Sequence, residues 1–291
     1  MRELTRLADM RAWSRAEHER GRRVGFVPTM GFLHEGHLRL VDRAKELTDR
    51  VVVSIFVNPL QFGPTEDFAK YPRDLARDRQ LAEEREVDCL FAPDAAEMYP
   101  GEPVVRVAPG AMADTLEGAA RPGHFTGVLT VVAKLFHLVE VDVAVFGRKD
   151  FQQAMLVQRM VADLDFPIAI DVAPTVRELD GLALSSRNAY LTPDQRRSAL
   201  ALSRALRAVE QAWRSGEADA AALQRRGLDT LRAPPGGVEP EYLALVDDAL
   251  QPVARVTART VALVAARVGT TRLIDNVVLG EGIAADPTVR P

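Results

Sequence analysis

A chain of 291 residues is longer than one hydrophobic core usually organises, so we expect two domains. Its composition, 47% hydrophobic and 27% charged, is that of an ordinary globular protein, and a net charge of −4 excludes a general attraction to nucleic acid or to anionic lipid. The single cysteine (Cys89), a charged N-terminus without a signal peptide's apolar centre, and the lack of a run of roughly 20 apolar residues favour a cytoplasmic protein without a membrane span.

Strand-like and helical patterns alternate through the first 175 residues. Short runs rich in β-branched residues, typical of buried strands, are separated by stretches that have the apolar spacing of helices. Such alternation predicts an α/β fold with a doubly wound parallel sheet, in which ligands bind beyond the carboxyl ends of the strands. The predicted strands are 24–27, 51–57, 89–92, 143–146 and 168–172, and the predicted helices are 37–47, 73–86, 127–139 and 150–164.

The pattern changes after about residue 174, where Ala- and Arg-rich helices are followed by a Pro- and Gly-rich break and then by strands. We therefore expect a smaller C-terminal α+β domain that packs as a lid or platform beside the first. The predicted domains are residues 1–175 and 176–291. Within the second, the predicted helices are 193–215 and 218–231, the break is 233–237, and the strands are 242–246, 260–268 and 272–278.

The segment from Phe26 to His37 predicts a phosphate site, because it passes from a strand through a Gly-containing turn to the start of a helix. The free amides of a helix N-terminus attract phosphate, and His34 and His37 can donate hydrogen bonds to oxygens on which charge develops. A zinc site is disfavoured, since zinc-hydrolase helices space their histidines four apart, whereas the spacing here is three. A plain helix cap remains the alternative. The G-x-x-x-x-G-K-[ST] and G-x-G-x-x-G phosphate motifs are absent.

Two further strand ends carry polar residues. After the strand at 51–57, Asn58 and Gln61 offer neutral amides that suit a small hydroxylated substrate, although a turn-forming Asn-Pro pair explains the segment equally well. After the strand at 143–146, Gly147 permits close approach of a ligand to the backbone, and Lys149 supplies a positive charge for phosphate. The next residue, Asp150, either accepts from ribose hydroxyls or caps the following helix.

A fourth segment opens the predicted second domain. Ser185, Ser186 and Arg187 place two hydroxyls beside a guanidinium, a combination that can hold an anion. Loops of this composition are common, so the triplet carries little weight alone. Its position favours an element that closes over a nucleotide.

Together these segments resemble the pantothenate synthetase (pantoate–β-alanine ligase) family from about Gly25 to Leu191. Ordered motifs at compatible spacing are more specific than any one of them, whereas the C-terminal hundred residues carry no motif that we can match. The resemblance implies the HxGH nucleotidyltransferase superfamily, a Rossmann-like domain that binds ATP and pantoate, and a homodimer. The matching stretches are PTMGFLHEGH (28–37), SIFVNPLQF (54–62), YPRD (71–74), GHFTGV (123–128), FGRKDFQQ (146–153) and TVRELDGLALSSRN (175–188).

The resemblance also implies roles for individual residues. Gln61, Gln153 and Asn58 would lie against pantoate, and Mg²⁺ would accompany ATP with Asp78 in its neighbourhood. The catalytic groups would be His37, His34, Lys149, Ser185, Ser186 and Arg187. The nucleotide would contact Met30, Gly31, His34, His37, Gly147, Lys149, Asp150, Val176, Leu184, Ser185, Ser186 and Arg187. Two positions depart from the family pattern, namely Arg148 where Glu is common and Leu184 where Met is frequent.

The implied reaction is ATP-dependent condensation of (R)-pantoate with β-alanine through a pantoyl adenylate, with release of AMP and pyrophosphate. No side-chain nucleophile is required, which suits the absence of Ser–His–Asp and Cys–His motifs. The alternative is another HxGH enzyme, a cytidylyl- or adenylyltransferase, which would want extra cations where this chain has Asn58, Gln61 and Gln153. A non-catalytic nucleotide-binding regulator is disfavoured by His34, His37 and Lys149.

Overall fold

The computed structural model describes residues 1–64, 66–232 and 238–283, so the predicted break at 233–237 lies outside the described residues. The chain divides into two compact units. Among the described residues, the first unit comprises Met1–Gly147 and Gln152–Ala173, and the second comprises Arg148–Phe151 and the residues from Pro174 onward. The four residues Arg148–Phe151, which the sequence analysis placed in the first domain, therefore group with the second unit.

The first unit contains a six-stranded sheet in the order β1-β4-β3-β2-β5-β6, and all neighbouring strands are parallel. This confirms the predicted Rossmann-like doubly wound sheet. The edge strand β1 was missed by the sequence analysis, because three residues are too few to show a periodicity. The strands are β1 (Arg2–Leu4), β2 (Val24–Thr29), β3 (Arg50–Ile55), β4 (Cys89–Phe91), β5 (Val143–Gly147) and β6 (Ala169–Ala173).

Helices cover both faces of this sheet, which explains why its strands are apolar on successive residues. In β2, Phe26 belongs to one buried cluster with Phe136, while Val27 belongs to another with Val41. None of the described helices is long and apolar enough to cross a membrane. The helices that lie between these strands in the chain are α1 (Leu7–Glu19), α2 (Glu35–Leu47), α3 (Leu75–Glu84), α4 (Ala95–Met98), α5 (Leu116–Ala120), α6 (His124–Val139) and α7 (Phe151–Asp163).

The strand order places the switch point between β2 and β5. From β2 the chain adds β3 and β4 on one side, and β5 and β6 on the other. Loops that leave the carboxyl ends of β2 and β5 diverge at such a point, and the gap between them is where doubly wound sheets bind ligands. The segments that follow β2, β3 and β5 are the ones in which the sequence analysis found polar motifs.

The second unit contains an antiparallel sheet in the order β7-β8-β9, together with two helices, in agreement with the predicted α+β class. Leu206, Leu231 and Val264 lie together in its core. A fully buried ion pair joins the side chains of Arg177 and Asp275, each 3% exposed. The elements are α8 (Pro193–Arg214), α9 (Ala220–Arg232), β7 (Val238–Val246), β8 (Val261–Val268) and β9 (Thr271–Val278).

Candidate active site

The turn that follows β2 is tied to the neighbouring strand through Thr29. Its hydroxyl donates to the carbonyl of Ser54 in β3 (2.7 Å) and accepts from the backbone N–H of Gly31 (3.0 Å). Gly31 has a φ of +81°, a conformation in which glycine avoids the strain of a side chain. A Cβ at Gly31 would also lie 2.9 Å from a methyl carbon of Ile55, so both backbone conformation and space require the glycine.

His34 and His37 lie side by side at the start of α2. His34 is the N-cap residue, and the centroids of the two imidazole rings are 4.0 Å apart at an interplanar angle of 30°. The backbone N–H of His34 donates to Nδ1 of His37 (3.3 Å). Because an acceptor nitrogen carries no proton, the neutral ring of His37 must hold its proton on Nε2. His37 can therefore present an N–H donor at the helix N-terminus.

Asn58 is buried and bonded to Gln61, and both hydrogens of its Nδ2 and both lone pairs of its Oδ1 are engaged in hydrogen bonds. Its Nδ2 donates to Oε1 of Gln61 and to the carbonyl of Gly127, each at 3.1 Å. Its Oδ1 accepts from the backbone N–H of Leu60 (3.3 Å) and from the hydroxyl of Tyr99 (3.1 Å). The contact with α6 requires a glycine, since a Cβ at Gly127 would lie 2.2 Å from the carbonyl oxygen of Leu60. The side chain of Asn58 thus orients Gln61, and its four hydrogen bonds leave no donor or acceptor to spare for the substrate contact that the resemblance implies.

Asn58 fixes which end of the Gln61 amide is available. With Oε1 bonded to Asn58, Nε2 points toward Sδ of Met30 at 3.1 Å. A thioether is a weak acceptor, so this amide nitrogen retains donor capacity. The contact brings together two residues that the sequence analysis assigned to different ligands, Met30 to the nucleotide and Gln61 to the acid.

A second buried network, which the sequence analysis missed, holds Gln61 through its backbone. Nδ1 of His124 donates to the carbonyl of Gln61 (2.8 Å), and Nε2 of His124 accepts from Arg121 (2.9 Å). Burial, reinforced by the charge of Arg121, lowers the pKa of His124 to about 4, which keeps the ring neutral near pH 7. Arg121 also makes two 2.7 Å hydrogen bonds to Glu66. The GHFTGV stretch supplied a family match but no hint of these partners.

Gly147 ends β5, and two glutamines follow it in the chain at the start of α7. Gly147 has an ordinary negative φ, and a Cβ there would meet only Leu40, at 3.9 Å, so nothing in the described protein demands a glycine. Of the two glutamines that open α7, Gln152 is buried and bonds to the backbone of Met112, Thr115 and Glu117, whereas Gln153 is half-buried. Gln153 is therefore the one that remains a candidate for contact with a substrate.

Lys149 lies in a 3₁₀ turn, Arg148–Asp150, whose backbone is held within the second unit. The side-chain amide of Asn276 in β9 donates to the carbonyls of Arg148 and Lys149, each at 2.9 Å. The guanidinium of Arg148 pairs with Glu281, so the departure from the family pattern at this position has a partner within the unit. Asp150 directly precedes α7, and its side chain is 52% exposed.

The remaining predicted nucleotide residues lie on a hairpin and the turn after it. The backbone N–H of Leu184 donates to the carbonyl of Val176 (3.0 Å). Ser185 is the N-cap of the 3₁₀ turn Ser186–Tyr190, and its hydroxyl accepts from the backbone N–H of Arg187 (3.3 Å). Ser186 is buried, whereas Ser185 and Arg187 are half-buried.

Asp78 does not fit the expected magnesium site. Its carboxylate is 1% exposed, and both oxygens accept backbone N–H groups, from Phe32 (2.7 Å) and Leu33 (2.6 Å). Throughout residues 1–64, 66–232 and 238–283, no three His, Cys, Asp or Glu side chains are grouped so as to hold a metal ion. The carboxylate instead supports the turn that leads to His34.

Comparison with known proteins gives matches over almost the whole chain. The model of the family described as pantoate-beta-alanine ligase matches residues 2–278. This chain belongs to the pantoate-beta-alanine ligase family. The family match includes the C-terminal part, in which the sequence analysis found no motif.

Individual relatives agree with the family. A pantothenate synthetase of Moorella thermoacetica is 52% identical over 277 residues, which are 95% of this chain and 98% of the relative. The crystal structure of pantothenate synthetase from Thermus thermophilus matches with a TM-score of 0.91 and 50% identity, covering 96% of this chain and 99% of that one. A pantoate-beta-alanine ligase from Francisella tularensis, complexed with beta-gamma ATP and beta-alanine, matches with a TM-score of 0.82 and 34% identity, covering 98% of this chain and 100% of that one.

Proposed function

We propose that this chain condenses (R)-pantoate with β-alanine to give pantothenate, and that ATP activates the pantoate carboxylate as an acyl adenylate. The observation that carries the assignment is the contact between Nε2 of Gln61 and Sδ of Met30. A buried, oriented amide suited to hydroxyl groups thereby adjoins the turn whose helix end suits phosphate. Membership of the pantoate-beta-alanine ligase family names the acid and the amine.

A free carboxylate is a poor acyl donor, because its leaving group would be oxide. In the first step a pantoate carboxylate oxygen attacks the α-phosphorus of ATP, and the bond to the pyrophosphate bridge breaks. Nε2–H of His37 and the amides at the start of α2 donate to the oxygens that gain charge. In the second step the neutral amine of β-alanine attacks the acyl carbonyl, loses a proton and expels AMP.

Other residues are assigned on the family resemblance. We assign Gln61 and Gln153 to the hydroxyls of pantoate, and Met30, Gly31, His34 and Gly147 to the nucleotide. We likewise assign to the nucleotide Lys149, Asp150, Val176, Leu184, Ser185, Ser186 and Arg187. Mg²⁺ would enter with ATP and would neutralise part of the phosphate charge. We further propose a cytoplasmic homodimer in which residues 1–175 form the ATP- and pantoate-binding domain and residues 176–291 form a smaller lid or platform domain.

The decisive test of the reaction is which bond of ATP breaks. We expect one AMP and one pyrophosphate for each pantothenate, and carboxylate-¹⁸O-labelled pantoate should pass one label to AMP. Omission of β-alanine should leave a bound pantoyl adenylate. Stoichiometric ADP with labelled inorganic phosphate would instead establish an acyl phosphate route. Nucleotidyl transfer to a phosphorylated acceptor, without pantoate-dependent exchange, would establish the alternative HxGH activity.

Recognition of pantoate gives a second prediction. Replacing Gln61 or Gln153 with alanine should weaken pantoate binding about ten-fold or more and leave ATP binding nearly intact, since substrate hydroxyls would lose their partner in a closed pocket. Isothermal titration with each ligand measures both effects. The exposed Gln80, whose amide bonds to Glu84 on α3, supplies the control variant Gln80→Ala. An equal loss of affinity for ATP would place the two glutamines in the nucleotide site.

A further inference from the structure

The turn between β2 and α2 contains two successive residues in the left-handed region. Gly31 has a φ of +81°, and Phe32 follows with a φ of +51°. A bulky residue seldom adopts this conformation and keeps it only where its surroundings enforce it. The histidine turn, residues 30–37, therefore depends on contacts that outweigh the local backbone preference.

Those contacts come from one turn of α3. Asp78 accepts the N–H of Phe32 at Oδ2 (2.7 Å) and that of Leu33 at Oδ1 (2.6 Å). The preceding residue, Arg77, donates from Nη1 to the carbonyl of Leu33 (2.8 Å), and its guanidinium lies 5.3 Å from the ring centroid of Phe32. The N–H groups of Phe32 and Leu33 and the carbonyl of Leu33 are thus all hydrogen-bonded to side chains of α3.

The carboxylate of Asp78 occupies the kind of place where an anion usually binds. Successive backbone N–H groups in a left-handed turn form a concave donor set, and here the protein's own carboxylate fills it. Burial raises the pKa of Asp78, and the hydrogen bonds from the two N–H groups oppose that rise. Keeping the charged carboxylate in this position therefore costs free energy of desolvation. Because this carboxylate is 1% exposed and both of its oxygens accept backbone N–H groups, it is inaccessible to a ligand.

We infer that Asp78 is a positioning residue, which acts through the peptide groups of Phe32 and Leu33 to set where Met30 and His34 meet ATP. The inference rests on the proposed function, since it assigns the histidine turn to the nucleotide. Asp78 itself touches neither substrate nor nucleotide. Outer groups that orient the ligands of a metal ion commonly contribute about ten- to a hundred-fold to activity, and we expect an effect of similar size for a group that orients this turn.

The test is Asp78→Asn in the full chain. Asparagine has nearly the same shape, but one end of its amide is a donor, so it can accept only one of the two N–H groups. We expect kcat for pantoate-dependent ATP–pyrophosphate exchange to fall about ten-fold and KM for ATP to rise, with the Kd for pantoate within about two-fold of wild type. Unchanged kcat and KM for ATP would overturn the inference, as would equal losses for ATP and pantoate.

The matched control is Asp74→Ala. Asp74 caps the same helix by accepting from the N–H of Arg77 (3.0 Å), so its replacement weakens the start of α3 and leaves the carboxylate of Asp78 in place. Its exchange rate should stay within about two-fold of wild type. A ten-fold loss in this variant as well would mean that general loosening of α3 explains the effect.

Hydrogen exchange separates failure of this inference from failure of the proposed function. In Asp78→Asn, amides in a peptide covering residues 30–38 should exchange faster, while those of β2 from Val24 to Val27 keep their protection. Unchanged protection at 30–38 overturns the positioning role, whatever the enzyme's reaction. If Asp78→Asn does not fold, Arg77→Ala, at a side chain 46% exposed, should show the same changes at smaller size. Wild-type rates and protection in that variant would then count against the inference.

Discussion

Replacing His37 with alanine should slow pantoate-dependent ATP–pyrophosphate exchange by about 10²-fold or more, the usual effect of losing a donor to charge that develops in a transition state. The donor is Nε2–H, because Nδ1 accepts the backbone N–H of His34. The circular dichroism spectrum should stay native, since His37 is half-buried and lies outside the core clusters.

Two further variants separate catalysis from helix capping. In His37→Asn the side-chain oxygen can still accept from His34, but no group replaces Nε2, so this variant should be as slow as His37→Ala. His18→Ala provides a surface control, because His18 bonds to Asp142 outside the histidine turn. If His37→Asn retains wild-type exchange, His37 contributes a cap and the assigned catalytic role is wrong.

Breaking the buried ion pair of the second unit should strongly destabilise that unit. Arg177 makes two hydrogen bonds to Asp275 (2.6 and 2.7 Å) and donates to the carbonyls of Gly181 (3.2 Å) and Asn276 (3.0 Å). Arg177→Met would leave the carboxylate of Asp275 buried without its cation. Removing one partner of such a pair typically lowers the free energy of unfolding by about 3–5 kcal/mol.

Denaturant titration can follow this unit by itself. The chain has two tryptophans, and in a Trp13→Phe background the fluorescence of Trp213 on α8 reports the second unit. Arg259→Met is the matched control, because Arg259 and Asp248 form an exposed pair, whose loss should change stability by about 1 kcal/mol or less. Equal shifts for the two variants would show that the buried pair has no special weight.

The sequence predicted those elements whose apolar pattern is set by burial. In α6 the buried Val128, Val131 and Leu135 recur at helical spacing, and the prediction of a helix there is confirmed. In α1, by contrast, the buried face includes Ser14 and Glu17, and Glu17 is paired with Arg20, Arg22 and Arg50. A helix that buries polar side chains in this way interrupts the apolar stripe, so the sequence analysis missed it.

Strand β7 shows a similar limit. Its predicted start was residue 242, whereas the strand begins at Val238. Pro240 lies in that first part, where the register with β8 shifts between Pro240 and Tyr242. Proline is tolerated in a sheet at such irregularities, but in a sequence it argues against a strand. The pairing that overrules it comes from a segment more than twenty residues away.

For the candidate site, the sequence predicted the functional side chains but not the residues that hold them in place. The histidine turn was recognisable because a helix N-terminus and its flanking residues are adjacent in the chain. The partners of Asn58 could not be read in this way, since Tyr99 and Gly127 are brought to it only by the fold. Asp78 shows the same limit, because a carboxylate on a helix looks alike whether it binds a metal ion or the backbone of a turn 45 residues earlier.

The position of Asn58 before a proline also affects how readily its side-chain amide deamidates. Deamidation would replace its Nδ2 donor with an oxygen, which would repel Oε1 of Gln61 and the carbonyl of Gly127. Asparagine usually deamidates when the nitrogen of the next residue attacks the side chain to close a succinimide. The next residue here is Pro59, whose ring nitrogen has no hydrogen to lose, so that route is closed. The amide that orients Gln61 is thereby protected from the commonest form of spontaneous chemical damage to asparagine.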